Sequence, residues 1–178
     1  MPDQHGAVRG SATLPSDCWQ QVFGNARPVT VEIGPGRGEF LVDTARRRPD
    51  WNCFAIEHSA SRTAEVGRRL GAAGIGNARV LCADATCLVE LMPAASVAAF
   101  YALFPDPWWK RRHHKRRLMT PFFVAALRRA LRAGGTIELI TDVEAYFALA
   151  GDALSGDAEL ELVGDPPSRD LQRRLEVV

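Results

Sequence analysis

Asp106 lies between two prolines in Phe104-Pro105-Asp106-Pro107-Trp108-Trp109, and the next eight residues, Lys110 to Arg117, read Lys-Arg-Arg-His-His-Lys-Arg-Arg. Each proline fixes its own φ and restricts the residue before it, so this carboxylate rides on a stiff loop and loses little entropy when placed at a reacting centre. The run behind it holds six permanent cations, Lys110, Arg111, Arg112, Lys115, Arg116 and Arg117. Such a cluster concentrates phosphate-bearing partners, and arginine's forked donors grip phosphate oxygens in a way lysine cannot. A solvated helix face or an unstructured basic loop has the same composition. Adjacency to a rigid acidic loop favours function, because chemistry-bearing loops sit on the stiff edge of a scaffold. Trp108 or Trp109 offers a flat face for a base or sugar, or plugs the core.

A second constellation lies upstream in Glu32-Ile33-Gly34-Pro35-Gly36-Arg37-Gly38-Glu39-Phe40. Glycines at that spacing between a strand and a helix let a nucleotide-bearing cofactor approach the backbone, although they also serve ordinary tight turns. Glu57 follows Gly38 by 19 residues, at the end of the next strand. There a carboxylate can accept hydrogen bonds from both ribose hydroxyls. Asp84, in Ala83-Asp84-Ala85, ends a third strand and can meet an adenine amino group. Taken singly, Glu57 reads equally as a helix cap and Asp84 as a turn or cap. Three strand ends in register point to one cofactor, which a dehydrogenase would hold in the same way.

Composition narrows the class. The formal net charge is +1, so with the six cations of the basic run set aside the rest of the chain carries −5: charge is concentrated, not spread. At 178 residues and 47% hydrophobic content, the chain 1–178 reads as one globular domain, with residues 1–25 an amino-terminal extension and 164–178 an ill-defined carboxyl segment. No apolar run approaches the roughly 20 residues needed to cross a bilayer, and the polar start lacks a signal peptide's apolar stretch, so a cytoplasmic protein without membrane partners is expected. Cys18, Cys53, Cys82 and Cys87 show no Cys-x-x-Cys pairing. Buried thiols are expected of them, and no metal site. His113 and His114, adjacent inside a cationic run, are expected to resist protonation and are read as part of that run rather than as a general base.

Short apolar, β-rich runs alternate with longer helical patterns, the rhythm of a parallel sheet covered by helices. Residues 29–33, 53–57, 79–83, 98–103 and 136–140 read as strands whose near-continuous apolar content fits burial on both faces. Residues 39–48, 61–73, 121–132 and 143–154 read as helices, the third capped by Thr120, opened by Pro121 and stopped at Gly134-Gly135. Residues 160–163 and 174–178 are further strand candidates. The fold class is α/β: a doubly wound, mostly parallel, Rossmann-like sheet whose carboxyl-terminal edge is either complete or shortened.

These blocks, with Lys110, Arg112-His113-His114-Lys115-Arg116-Arg117-Leu118 and Thr141-Asp142 followed by Tyr146, resemble the bacterial tRNA (guanine-N7)-methyltransferases over about residues 28–150. The resemblance implies a class I methyltransferase fold and S-adenosylmethionine as cofactor. It implies cofactor contacts at Glu32, Gly34, Gly36, Gly38, Glu57, Asp84, Ala85 and Asp106, with Asp106 also the catalytic positioning acid. It further implies substrate contacts at Lys110, Arg112, His113, Arg116, Asp142 and Ser168, tRNA as partner, and a monomer or homodimer. The sequence departs from the family at Leu103, where an Asn is usual, at Trp109, and at Ser168-Arg169-Asp170-Leu171, where the family has Thr-x-Phe-Glu. Those departures keep two alternatives open: methylation of a small heteroaromatic or nucleoside, and a non-catalytic cofactor-sensing or RNA-binding protein.

Overall fold

The computed structural model describes residues 13–107, 118–163 and 173–178. A short helix α1 (Cys18–Phe23) precedes β1 (Val29–Ile33), and the chain then alternates through α2 (Glu39–Arg47), β2 (Asn52–Glu57), α3 (Ala60–Ala72) and β3 (Ala78–Cys82). It continues through α4 (Ala85–Leu91), β4 (Val97–Leu103), α5 (Pro121–Ala130), β5 (Leu131–Thr141), α6 (Glu144–Ser155) and β6 (Arg173–Val177). The strands form one sheet in the order β3-β2-β1-β4-β5-β6. The first five are parallel, and β6 runs antiparallel to β5. The expected α/β class and strand order reversal are therefore present, with the reversal between β1 and β4.

The central strands β1, β2 and β4 are packed on both faces, so even Thr30 and Glu32 of β1 are buried, whereas β3, at the edge of the sheet, is largely open and does not meet the expectation of burial on both faces. On one face Cys53 and Ala55 of β2 meet Leu41, Val42, Ala45, Val66 and Leu70 of α2 and α3. On the other, Val31, Phe54, Ile56 and Phe100 meet Val89, Phe123, Leu127, Ala150 and Leu154 from α4, α5 and α6. Trp19 of α1 joins this second core, edge-on to Phe54 at 5.2 Å between ring centroids.

The helix starts are set by side-chain caps. Ser59 Oγ accepts from Arg62 N at the start of α3, and Thr120 Oγ1 accepts from Phe123 N at 3.2 Å with Pro121 beside it at the start of α5. Each satisfies one of the amide groups that a helix amino terminus leaves without an internal partner.

Several boundaries differ from expectation. Helix α5 ends at Ala130, before Gly134-Gly135, because the chain pairs with β4 at once: Val97 aligns with Leu131 and Ala99 with Thr136, with a bulge between. Gly135 lets β5 press onto β4, since a Cβ there would lie 2.9 Å from the Ala98 carbonyl oxygen. Residues 160–163 contribute one isolated bridge, Leu162 to Val177, rather than a strand. Helix α4 was not anticipated; it is seven residues long and keeps only Val89 fully buried, so its apolar period is too short to read. The cysteines divide: Cys18 and Cys53 are buried, whereas Cys82 and Cys87 are exposed free thiols, because Cys82 ends an outer strand and Cys87 lies on the solvent side of α4.

Candidate active site

A parallel sheet offers ligands the crevice beyond the carboxyl ends of its strands, at the point where strand order reverses. Here that point lies between β1 and β4. After β1 the chain turns through Gly34, Gly36 and Gly38, with φ of +70°, +55° and +76°. An added Cβ would meet nothing within 4 Å at Gly34 or Gly36, so the first two glycines leave open space above the strand tip. Gly38 serves packing instead: it is the residue before α2 and lies against Val66 of α3.

Glu32 is the fourth residue of β1, 4% exposed, and its Oε2 has no hydrogen-bond partner among the described residues. Burial pushes its carboxyl up to about 8. Its register neighbour on β4 is Tyr101, which Phe40 of α2 covers edge-on at 4.9 Å. A buried, unmatched carboxyl oxygen beside a glycine turn is an acceptor held ready for a donor or a cation.

Glu57 closes β2 and is 1% exposed. Its Oε1 accepts from Ser59 N at 2.9 Å and lies 3.0 Å from Nδ1 of the exposed His58. One carboxylate oxygen is thus fixed by the protein, leaving the other available to a ligand. Asp84 follows β3 and caps α4: its Oδ1 accepts from Thr86 N at 2.8 Å, from Cys87 N at 3.4 Å and from the Thr86 hydroxyl. The Thr86 hydroxyl above all, then the two amides and nearby His58, holds its carboxyl below the usual carboxylate range. Capping engages Oδ1, and Asp84 remains exposed with Ala85 as the first residue of the helix.

Beyond β4, Phe104 has φ +50°, unusual for a bulky side chain, and its amide donates to the Ile140 carbonyl at 2.7 Å. This residue turns the chain off the sheet into Pro105-Asp106-Pro107, with Asp106 exposed. Strain of this kind concentrates at functional sites. Beyond β5, Thr141 Oγ1 accepts from Val143 N at 3.2 Å, and Asp142 is exposed between them. Glu32, Glu57, Asp84, Asp106 and Asp142 thus all stand at or just beyond the carboxyl-terminal side of the sheet. Lys110, Arg112, His113, Arg116 and Ser168 lie outside the described residues. Sequence reasoning missed His58 and the turn at Phe104; adjacency to Glu57 was a signal for the first, while no residue type announces a positive φ at phenylalanine. Among the described residues no cluster of three ligating side chains is arranged for a metal, and no helix is long and apolar enough to cross a membrane.

Sheet order, glycine turn and acid-tipped strands define the class I methyltransferase fold. Solved methyltransferases share it: an S-adenosylmethionine-dependent enzyme from Aquifex aeolicus superposes with TM-score 0.67 at 12% identity, covering 91% of this chain and 88% of that one. The aminoglycoside resistance methyltransferase NpmB1 superposes with TM-score 0.63 at 19% identity, covering 93% of each chain. The family described as "Putative methyltransferase" matches residues 26–170. A tRNA (guanine-N(7)-)-methyltransferase of Acidithiobacillus ferrooxidans is 36% identical over 165 residues, 87% of this chain and 71% of the relative. One of Aliivibrio salmonicida is 44% identical over 133 residues, 72% of this chain and 54% of the relative. The chain belongs to the tRNA (guanine-N7)-methyltransferase family, and it spans about half the length of several of the relatives it matches.

Proposed function

We propose that this protein transfers a methyl group from S-adenosylmethionine to N7 of a guanine in tRNA. The observation that carries the reading is the buried, unmatched Glu32 carboxyl at the glycine turn, flanked by Glu57 and Asp84 on the next two strand ends. These residues fit the cofactor: the open backbone at Gly34 and Gly36 admits it, Glu57 takes the ribose hydroxyls, and Asp84 with Ala85 meets the adenine. When bound, S-adenosylmethionine supplies an electrophilic methyl carbon that N7 attacks in line as the carbon–sulfur bond breaks. N7 already carries its lone pair, so no residue need act as a base.

The protein's contribution is then placement and electrostatics. Near-attack alignment alone can supply on the order of 7–11 kcal/mol of the barrier. Asp106, held between two prolines, positions the base against the reactive end of the cofactor and is the catalytic residue of the proposal. Asp142 accepts hydrogen bonds from the Watson–Crick edge of guanine, which presents N–H donors. Positive charge passes from sulfur to the purine ring, so carboxylates fixed beforehand stabilise a cation throughout. Lys110, Arg112, His113, Arg116 and Ser168 hold the RNA, and such a substrate implies a cytoplasmic enzyme.

The test is incubation with labelled S-adenosylmethionine and either unmodified tRNA or a pool of small heteroaromatics. Label in tRNA at a guanine that borohydride and aniline cleave supports the proposal. Label only in a small molecule overturns it in favour of a substrate change associated with Leu171.

A further inference from the structure

Phe122 is 64% exposed, the most exposed large apolar side chain among the described residues, while its neighbour Phe123 is 1% exposed in the core. It sits in the first turn of α5, where a polar residue would serve the helix as well. Position makes it informative. Helix α5 returns the chain from β4 to β5, so its amino terminus lies on the carboxyl-terminal side of the sheet, the side that also carries Asp106 and Asp142. The segment leading into it is pinned there, because Met119 N donates to the hydroxyl oxygen of Tyr146, in the first turn of α6, at 3.3 Å. Phe104, 49% exposed at the tip of β4, presents a second aromatic ring on the same edge.

A lone exposed apolar residue is ordinary. This one lies five positions after Arg117, which ends the most cationic stretch of the sequence, six permanent charges within residues 110–117. A cationic run close in sequence to an exposed aromatic ring is a pattern of single-stranded nucleic-acid binding: charge tracks the phosphates, and a ring takes the face of a base. An uncharged apolar protein partner would not be drawn by that charge to so small an apolar area. A base can stack on one ring alone.

We propose that Phe122 is a stacking platform for an unpaired base of the RNA substrate, a substrate-positioning residue at the outer rim of the site, with Phe104 the aromatic face nearer its centre. This rests on the tRNA reading given above. The test compares unmodified tRNA binding by wild type, F122A, F122L and F122W across a salt series, with S-adenosylmethionine affinity and thermal unfolding as controls. Loss of one stacked base should weaken tRNA binding about 5- to 100-fold in F122A. F122L should fall with it, F122W should stay within about threefold of wild type, and the slope against salt should be unchanged, because no phosphate contact is lost. F122W fluorescence, taken as the difference from wild type, should be quenched by tRNA.

Wild-type affinity in F122A overturns the platform alone. Wild-type affinity in F122L with loss in F122A also overturns it, since aliphatic packing would then suffice. Failure of the wild-type protein to bind tRNA overturns the substrate reading and this inference with it, so the two failures are distinguishable.

Discussion

Gly38 and Val66 are in contact across the glycine turn: a Cβ added to Gly38 would lie 2.9 Å from Cγ1 and 3.1 Å from Cγ2 of Val66. The turn that ends β1 is therefore pressed onto α3, and its shape depends on a residue 28 positions away in the chain. Gly38→Ala should cost about 1–2 kcal/mol for a side chain at positive φ and about 1–3 kcal/mol more for overpacking. Gly34→Ala should carry only the first cost, because open space surrounds it. Urea denaturation of both variants measures the difference. Val66→Ala combined with Gly38→Ala should recover part of the packing loss, and strict additivity of the two changes would refute the contact as its origin.

The fixed oxygen of Glu57 makes a separate prediction. Gln in its place keeps an acceptor for the Ser59 amide but presents a neutral, partly donating group to a ribose. Glu57→Gln should weaken S-adenosylmethionine binding about 10- to 100-fold, the range for losing a charge-assisted hydrogen bond. Calorimetric titration reads this directly, and unaltered affinity would remove Glu57 from the cofactor site.

Asp84 has two roles to separate, since it caps α4 whatever else it does. Serine is as good a cap but cannot supply a carboxylate to adenine. Asp84→Ser should leave stability within about 0.5 kcal/mol, and Asp84→Ala should lose about 1 kcal/mol, as read by thermal unfolding. Both should lose cofactor affinity alike. Equal affinity in Asp84→Ser and wild type would reduce this residue to a cap.

The strands were legible because each of the first four is a short run rich in apolar or β-branched residues bounded by turn residues, most plainly Val97–Leu103, while the exposed edge strand Ala78–Cys82 still carries Val80 and Leu81. The acids at their tips were legible for the opposite reason: a carboxylate such as Glu57 ending an apolar run has no packing purpose there. Neither the seven-residue α4 nor α1 carries enough turns for a period to emerge. The early start of β5 was hidden because Leu131 and Arg132 continue the helical pattern of α5, and only pairing with Val97 draws them into the sheet. That is a tertiary effect that local propensity does not encode. The positive φ of Phe104 is equally illegible, since it accompanies an amide hydrogen bond to the Ile140 carbonyl of β5, a distant partner in the chain.

Glu32 supplies a prediction in pH. Burial without a partner raises its carboxyl from 4.5 to about 8 in the folded chain, so between those values the folded state holds a proton that the unfolded state has lost. Stability contributed by the neutral carboxyl is complete below about pH 4.5 and disappears as pH rises through about 8, at roughly 1.4 kcal/mol per pH unit in between. Glu32→Gln cannot titrate there. The stability of wild type minus that of Glu32→Gln, from urea denaturation in the absence of cofactor, should therefore fall steadily between pH 5 and 8 and level off above. A cationic ligand at the glycine turn favours the carboxylate, so S-adenosylmethionine binding at neutral pH should expel the proton. Binding enthalpies in buffers of differing ionisation heat should reveal up to about one proton released per cofactor by wild type and none by Glu32→Gln. A pH-independent stability difference would show that Glu32 is already ionised in the fold. Proton release surviving in Glu32→Gln would assign it to another group and separate Glu32 from the cofactor.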